Sequence, residues 1–351
     1  MRLVEVANPP NPWSSTEIEY LDGPPPTIRL QVFEDHTREI LAHNDSPDLG
    51  FSWSVNPYRG CMHGCAYCYA RPSHEYLSMG AGTDFETKIV IKKDAPALLR
   101  AAFERRSWKG ELLVFSGVTD CYQPLEASLR LTRGCLEVCA EYRNPVGVIT
   151  KAPLVERDLD LLQELHRSAR VHVSVSVPFW DQDKARAVEP YVATPRRRIQ
   201  AIRKLAEAGI PVGVNVAPII PGLSDQDIPR ILAAAAEAGA TSAGMVMVRL
   251  PGSVKQVFEE RIRAALPLQA ERILHRVREV RGGKLYDSRW GVRGRGEGNY
   301  ADATHDLFRA ACQKLGLRSK WGAKETSAEP EEGPTTFRRP AGRDGQLALF
   351  E

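Results

Sequence analysis

The chain has 351 residues, of which 43% are hydrophobic and 26% charged, and its formal net charge is +3. This composition is typical of a soluble globular protein and excludes a polycation that binds nucleic acid through net charge alone. The first ten residues lack the features of a secretory signal, and no apolar run approaches the roughly eighteen residues of a membrane span. We therefore expect a cytoplasmic protein without a membrane segment, whose seven cysteines are reduced.

Residues 1–50 contain two proline clusters and no sustained periodicity, which predicts an extended N-terminal arm. From residue 51 onward, short β-rich runs alternate with stretches that have apolar residues at helical spacing. The predicted strands are residues 51–55, 111–116, 146–150, 171–177, 211–217 and 242–248. The predicted helices are residues 125–142, 154–168, 195–208, 225–238, 268–281 and 300–315. Thr194 and Pro195 predict the start of the third helix, and Gly209 its end.

This alternation predicts an α/β fold with a parallel sheet, either a complete or partial barrel or an open doubly wound sheet. In each of these forms, the reactive residues lie at the carboxyl-terminal ends of the strands. The predicted α/β domain spans residues 51–318 and ends in C-terminal helices. Residues 319–351 are polar and rich in Pro, Gly and Glu as far as Asp344, which predicts a disordered tether.

The strongest signal is a cysteine triad directly after the first predicted strand. It reads Asn56-Pro-Tyr-Arg-Gly-Cys61-Met-His-Gly-Cys65-Ala-Tyr-Cys68. Three thiolates at these spacings can surround one compact metal centre. A cubane iron-sulfur cluster normally takes four cysteines, so three leave one iron open to a substrate or cofactor. The alternative is a structural zinc site that adds His63 or His74 to the three cysteines.

The Cys-x3-Cys-x2-Cys spacing, with the aromatic Tyr67 before the last cysteine, resembles the signature of the radical S-adenosylmethionine (SAM) superfamily. The flanking sequence resembles a narrower group within it, the DNA-repair-photolyase-like proteins that include spore photoproduct lyase. The resemblance covers roughly residues 50–315. Its further motifs are Arg71-Pro-Ser-His74-Glu75, Asp84-Phe-Glu86, Thr119-Asp120, Tyr122-Gln-Pro-Leu-Glu126, Thr150-Lys151 and Pro218-Ile-Ile-Pro-Gly222.

The resemblance implies a partial (β/α)6 barrel of the TIM type, with an N-terminal arm and C-terminal helices. It also implies a 4Fe-4S cluster on Cys61, Cys65 and Cys68, with SAM chelating the open iron. A low-potential electron donor would reduce the cluster, and cleavage of SAM would give a 5′-deoxyadenosyl radical that abstracts hydrogen from the substrate.

The same resemblance places five residues around the cluster and SAM. Lys151 meets the SAM carboxylate, Thr119 and Asp120 meet its amine and ribose, Ser174 lines the ligand site, and Tyr67 belongs to the cluster signature. Val216–Pro218 would cradle the adenine. The alternatives are a solvated surface lysine for Lys151, and a Thr119-Asp120 pair that caps the next helix.

Four further cysteines lie outside the triad. Spore photoproduct lyase uses a cysteine as hydrogen donor at the position that corresponds to Gly117 here, and this departure argues against reversal of a thymine dimer. Cys121 is the nearest thiol and is predicted either to donate hydrogen or to be a buried structural thiol. Cys135 and Cys139 share a helix face, which favours packing over metal binding, and Cys312 is assigned to packing.

Damaged or modified DNA is the predicted substrate, and RNA, a peptide or a small molecule is the alternative. The arginines available for nucleic acid are Arg59, Arg71, Arg196 to Arg198, Arg289, Arg293 and Arg295. A solvated charge run with neighbouring acids explains them equally well.

The C-terminal sequence Gln346-Leu347-Ala348-Leu349-Phe350 resembles the peptide that docks repair proteins on the DNA sliding clamp. An alternative function of a different class is a non-catalytic adaptor that binds zinc and associates with the clamp.

Overall fold

The computed structural model describes residues 3–6 as backbone, and residues 30–319 and 335–340 in full. Within them, the strands are β1 (Leu3–Val6), β2 (Gln31–Asp35), β3 (Leu41–His43), β4 (Trp53–Val55), β5 (Tyr58–Arg59), β6 (Lys88–Ile91), β7 (Leu113–Phe115), β8 (Val146–Thr150), β9 (Val171–Ser176), β10 (Val212–Ile219), β11 (Ser242–Met247) and β12 (Arg318–Ser319).

The α-helices of the same part of the chain are α1 (Asp84–Thr87), α2 (Ala95–Glu104), α3 (Glu126–Leu129), α4 (Leu131–Glu141), α5 (Leu159–Ser168), α6 (Gln182–Val188), α7 (Pro195–Glu207), α8 (Ile228–Glu237), α9 (Val254–Ala265), α10 (Ala270–Glu279) and α11 (Asn299–Leu315). Short 3-10 helices cover Arg71–Leu77, Pro153–Asp158 and Asp225–Asp227. No helix among the described residues is long and apolar enough to cross a bilayer.

The main sheet has six parallel strands that lie side by side in chain order: β4, β7, β8, β9, β10 and β11. They are the six strands predicted from the sequence. A doubly wound sheet reverses its strand order at a switch point, whereas the six parallel strands here follow one another in chain order across the sheet. The fold is therefore the predicted partial barrel, extended by antiparallel β3 at one edge and by parallel β12 at the other.

A second sheet, in the order β1-β2-β6-β5, flanks the start of the barrel. β2 and β3 lie within the predicted N-terminal arm. β5 is part of the Asn56–Gly60 motif and pairs antiparallel with β6. Strands this short carry little periodicity, which is why the sequence pattern did not reveal them.

Two local signals decide where the helices begin. The Thr194 hydroxyl accepts a hydrogen bond from Arg197 N at 3.3 Å, so α7 starts where the sequence predicted. The single helix predicted over residues 125–142 is instead divided at Arg130, which has φ +53°. The Glu126 carboxylate accepts from the backbone N–H groups of Thr132 and Arg133, at 2.9 and 3.2 Å, and thereby starts α4 anew.

Small and polar residues border a cavity between β9, β10 and β11. On β9, Val173 and Val175 are fully buried against the helices, and Ser174 between them faces inward. Together with residues of β10 and β11 it borders a cavity of about 70 Å³. The other lining residues are His172, Gly213, Val214, Asn215, Ser242, Ala243 and Gly244.

Residues 335–340, here called the C-terminal strap, pack on the barrel beside the loops that precede β7 and β8. The Phe337 ring lies 5.6 Å from that of Phe103 and 6.0 Å from that of Tyr142. A Cβ atom on Gly110 would lie 2.2 Å from Phe337 Cβ, so the contact requires glycine there. The strap's hydrogen bonds include Arg338 N to Tyr142 O at 2.8 Å, Thr335 Oγ1 to Gly110 O at 2.7 Å, and Arg339 Nε to Phe103 O at 3.0 Å.

Candidate active site

The three cysteines of the triad lie in the loop of residues 60–70, here called the cysteine loop, after β5. Cys61 and Cys65 are buried, and Cys68 is half-buried. Cys61 N donates to Phe85 O at 2.8 Å. Gly60 has φ +79°, and a Cβ there would lie 2.9 Å from the His74 ring. Only glycine suits this turn, because both the backbone conformation and the packing exclude a side chain.

The Arg71 guanidinium holds the cysteine loop from inside the protein. Arg71 is fully buried. It donates to Cys65 O from Nη2 at 2.8 Å and from Nε at 3.0 Å, and to Gly64 O at 3.1 Å. Its charge is balanced by Glu86 at 2.5 Å. Arg261 adds a second contact to Glu86, at 2.6 Å, and to Gly64 O, at 2.8 Å. This network gives Glu86 a role that the sequence did not suggest, and it shows that Arg71 is a buried structural residue rather than an arginine available for nucleic acid.

Two amide side chains fix the other end of the loop. Gln123 accepts from Met62 N at 3.1 Å and donates to Gly60 O at 3.1 Å. Asn56 donates to Thr119 O at 2.8 Å and accepts from the Thr119 hydroxyl at 3.2 Å. The loop is therefore tied to the carboxyl-terminal end of β7.

The chemistry of the three thiols fits an iron-sulfur cluster. Burial, together with the neighbouring charges of Asp120 and Cys68, raises the pKa of Cys61 to about 12. Burial also raises the pKa of Cys65 well above its usual value, and the charges of Cys68 and Cys61 add to this. Three thiolates can coexist here only when a bound metal centre supplies positive charge, and thiolates are the ligands that iron-sulfur clusters take.

The residues that a zinc site would recruit are arranged differently. His63 Nδ1 lies 3.5 Å from Asp120 Oδ2, and His74 Nε2 lies 2.8 Å from Lys88 O. Within residues 30–319 and 335–340, no three His, Cys, Asp or Glu side chains are grouped to hold a single metal ion. A cubane differs from such a site because each cysteine binds a different iron.

A buried chain of polar groups runs from Tyr67 to the end of β9. The Tyr67 hydroxyl donates to Glu189, which pairs with Arg198 at 2.5 Å. Arg198 donates in turn to Ser176 O at 3.0 Å. Burial acts to raise the pKa of Glu189, but the charges of Arg198 and Lys151 outweigh it and hold that pKa below its usual value. Tyr67 is thus fixed by a carboxylate that stays ionised.

Lys151 follows β8 and faces the cysteine loop. Its ammonium lies 5.7 Å from the centroid of the Tyr67 ring. It acts to lower the pKa values of Cys65 and Cys68, against burial, which raises both. The backbone N–H of Lys151 donates to Asp120 at 2.7 Å. Asp120 also accepts from the Thr150 hydroxyl at 2.6 Å, so it fixes the turn that carries the lysine.

The predicted site residues therefore divide into two groups. Tyr67, Asp120 and Lys151 gather at the cysteine loop with the three cysteines, and Thr119 is bonded to Asn56 beside them. Ser174 lies within the barrel at the cavity described above.

Cys121 is fully buried in the main core, and its thiol lies 3.6 Å from Phe115 O. This is the position of a packed thiol, and a hydrogen-donor role for it stays a prediction. Cys135, Cys139 and Cys312 belong to the same core.

Comparison with known proteins identifies the family. The family model of the radical SAM superfamily matches residues 55–235, which include the cysteine loop and four of the six parallel strands, β7 to β10. The chain belongs to the radical SAM superfamily. Members of this superfamily bind a 4Fe-4S cluster and SAM, and both are therefore cofactors of this enzyme.

Individual solved structures and curated proteins also resemble this chain. A structure of spore photoproduct lyase complexed with dinucleoside spore photoproduct matches with a TM-score of 0.54, at 17% identity over 82% of this chain and 80% of that one. This likeness shows the fold. An uncharacterized protein of Mycobacterium tuberculosis is 37% identical over 241 residues, which are 66% of this chain and 71% of the relative. Another, from Methanocaldococcus jannaschii, is 30% identical over 176 residues, 50% of this chain and 63% of the relative.

Most arginines that the sequence offered for nucleic acid are paired with carboxylates in this radical SAM enzyme. Arg71 and Arg198 are buried with Glu86 and Glu189. The exposed or partly exposed pairs are Arg59 with Asp35, Arg197 with Glu156, Arg289 with Asp287 and Glu297, Arg293 with Asp48, and Arg295 with Asp302. Their charges are largely neutralised, which favours the interpretation as a charge run with neighbouring acids.

His74 makes the stability of the cysteine-loop region depend on pH. Burial lowers the pKa of His74 below its ordinary value of 6.5. Below pH 6.5 the unfolded chain therefore binds more protons at this residue than the folded one, and the free energy of unfolding falls as the pH drops. We expect His74→Gln to lose more stability relative to wild type at pH 8 than at pH 5.5, by urea denaturation. An equal loss at both pH values would contradict this.

Proposed function

We propose that this radical SAM enzyme acts on damaged or modified DNA, in a lyase-type repair reaction, with its cluster held by Cys61, Cys65 and Cys68. The observation that carries the proposal is the cysteine loop at the carboxyl-terminal end of the parallel strands, held there by buried polar groups. The DNA substrate is supported by the fold shared with spore photoproduct lyase, whose structure contains a dinucleoside photoproduct.

When bound, the reduced cluster and SAM supply a carbon-centred radical that removes a hydrogen atom from the substrate. The chain's own residues bind, orient and shield these groups. Arg71, Gln123 and Asn56 keep the cysteine loop in one conformation, and the Tyr67–Glu189–Arg198 chain fixes its middle. Such fixed partners keep the ligand geometry constant during turnover.

Lys151 is the residue we assign to the SAM carboxylate. Its ammonium lies 5.7 Å from the centroid of the Tyr67 ring, and its charge acts to lower the pKa of Cys68. Asp120 fixes the turn that carries it. A fixed ammonium forms a charge-assisted hydrogen bond with a carboxylate. Asp120 acts mainly as a positioning residue, because both of its oxygens are engaged by the Lys151 turn. Thr119 and Ser174 remain our assignments for further contacts to SAM.

The test uses the full chain with its cluster reconstituted anaerobically. Reduced enzyme, SAM and DNA oligonucleotides that carry deuterated lesions are incubated, and 5′-deoxyadenosine is analysed by mass spectrometry. We expect deuterium in the 5′-deoxyadenosine from at least one lesion. Label transfer only from deuterated RNA or peptide would reject DNA as the substrate. If the protein instead held one equivalent of zinc and no sulfide, the radical reaction would be rejected. The zinc-binding, clamp-associated adaptor would then be the remaining function.

The C-terminal residues Gln346, Leu347, Leu349 and Phe350 lie outside the described residues. Docking of this peptide on the DNA sliding clamp is part of the proposal, supported by its sequence and by the DNA substrate. Pull-down of the clamp should disappear when these residues are deleted, and binding that persists would reject it.

A further inference from the structure

Arg249 lies at the carboxyl-terminal end of β11 and has no counter-ion within the described part of the chain. Its side chain is half-buried, and its Nε atom is buried with no hydrogen-bond partner among those same residues. Among the described residues it makes neither an ion pair nor a hydrogen bond, in contrast to the paired arginines described above. A buried N–H group without an acceptor is rare in folded proteins and points to a missing partner.

A second guanidinium lies close enough to Arg249 to be affected by its charge. Arg281 is buried and donates to Val248 O at 2.8 Å and to Val292 O at 2.6 Å, both of which are neutral acceptors. Burial lowers the pKa of Arg281 to about 10, and the charge of Arg249 contributes to this, whereas the nearby charges of Asp287 and Glu297, which pair with Arg289, act in the opposite direction. The end of β11 thus holds two cations, and Arg249 is the one that reaches the surface.

Unpartnered polar atoms are concentrated where this part of the barrel meets the cysteine loop. Seven buried side-chain polar atoms lack a partner in the described part of the chain, and Ser73, Arg249, Ser253 and Arg281 contribute four of them. The loop after β11 touches the turn after the cysteines, since a Cβ on Gly252 would lie 3.5 Å from Pro72 Cγ.

Tyr69 connects Arg249 to the cysteine loop. It directly follows Cys68 in the sequence, and its hydroxyl donates to Gly117 O at 2.9 Å, just beyond the end of β7. The Arg249 guanidinium lies 5.7 Å from the centroid of its ring. Tyr69 is about half exposed, at 48%. Arg249 therefore faces the barrel mouth beside the cluster ligands, where a substrate must approach.

We propose that Arg249 binds an oxyanion of the substrate at the barrel mouth, and that this anion is a phosphodiester of the nucleic acid. The inference rests on the proposed function for its substrate class. A guanidinium matches phosphate with two parallel N–H donors, and the orphaned Nε–H is one of them. The carboxylate of SAM is the other oxyanion available at this mouth, but Lys151 already stands beside the cluster cysteines on the side of β8.

The experiment measures binding of a short fluorescein-labelled single-stranded oligodeoxynucleotide to the reconstituted holoenzyme, by anisotropy over a range of NaCl concentrations. Arg249→Gln should weaken binding about tenfold, and the slope of log affinity against log salt should fall by about 1. Arg249→Lys should recover part of the affinity, since lysine keeps the positive charge but lacks the two parallel N–H donors of the guanidinium. Arg105→Gln removes an exposed arginine that is paired with Glu39 and was never a candidate for nucleic acid, and it should change affinity less than about twofold.

Each other outcome overturns the inference in a recognisable way. If Arg249→Gln and wild type bind the oligonucleotide equally, the inference fails and the proposed substrate stands. If the variant loses affinity for SAM while oligonucleotide affinity is unchanged, the arginine belongs to the cofactor. If wild type does not bind the oligonucleotide but binds an acidic peptide, the proposed DNA substrate fails together with the inference. Thermal unfolding of each variant establishes that it is folded.

Discussion

Replacing Cys65 with alanine should abolish both cluster binding and SAM cleavage. We expect reconstituted wild type to hold about four iron and four sulfide per chain and the variant to fall to background, because in our proposal each cysteine of the triad ligates a separate iron. Release of 5′-deoxyadenosine from reduced enzyme should disappear with the cluster. Iron and sulfide analysis, the absorbance of the cluster and chromatography of the nucleoside measure these effects.

The matched control is Cys139→Ala. Cys139 is buried, like Cys65, but it lies on α4 in the main core, away from the cysteine loop. Its replacement also removes one sulfur atom from the interior, so it tests whether the loss reflects ligation or packing. Full metal content and nucleoside release are expected in this variant. Equal activity of the two variants would remove the triad from the mechanism.

Replacing Arg71 with methionine should destabilise the protein by about 3–5 kcal/mol, because it removes one of the two arginines that neutralise the buried Glu86 and the fully buried donor to the Cys65 carbonyl. Arg71 is fully buried, so solvent cannot take over its hydrogen bonds. Methionine retains much of the side chain's volume, and the effect is therefore one of charge and hydrogen bonding. Urea denaturation of the apo-protein measures stability, and iron content after reconstitution measures whether the loop still accepts a cluster.

Arg105→Met is the control for this substitution. Arg105 also pairs with a glutamate, Glu39 at 2.9 Å, but both side chains are exposed and solvent replaces the lost contact. We expect its stability and its iron content to match those of wild type. If Arg71→Met behaved in the same way, the buried network would not be what holds the cysteine loop.

The sequence predicts the barrel well because each of its six parallel strands is a distinct β-rich run between helical stretches. Val146–Thr150 is found at its predicted bounds, and the other five differ by a few residues at most. The cysteine triad and Lys151 are equally visible, since spacing and a position at a strand end are local properties. The family comparison and the fold agree with the predicted barrel, whereas the roles of the triad and of Lys151 stay predictions.

The partners of the cysteine loop could not be predicted, because they come from distant parts of the chain. Glu189 and Arg198 belong to α6–α7 and reach Tyr67 only through the folding of the barrel. Arg71 looked like one more surface arginine, and only its burial reveals its role. Arg249 stands alone between apolar residues, so no charge run in the sequence marks it.

The C-terminal strap limits how far the end of the chain can travel. Phe337 and its neighbours fix residues 335–340 beside Gly110 and Tyr142, at the amino-terminal ends of β7 and β8. Only five residues lie between Pro340 and Gln346, and the six extended peptide steps between the two span about 20 Å. A protein that captured Gln346 would therefore be held against the barrel face remote from the cysteine loop, leaving the mouth of the barrel open to a substrate.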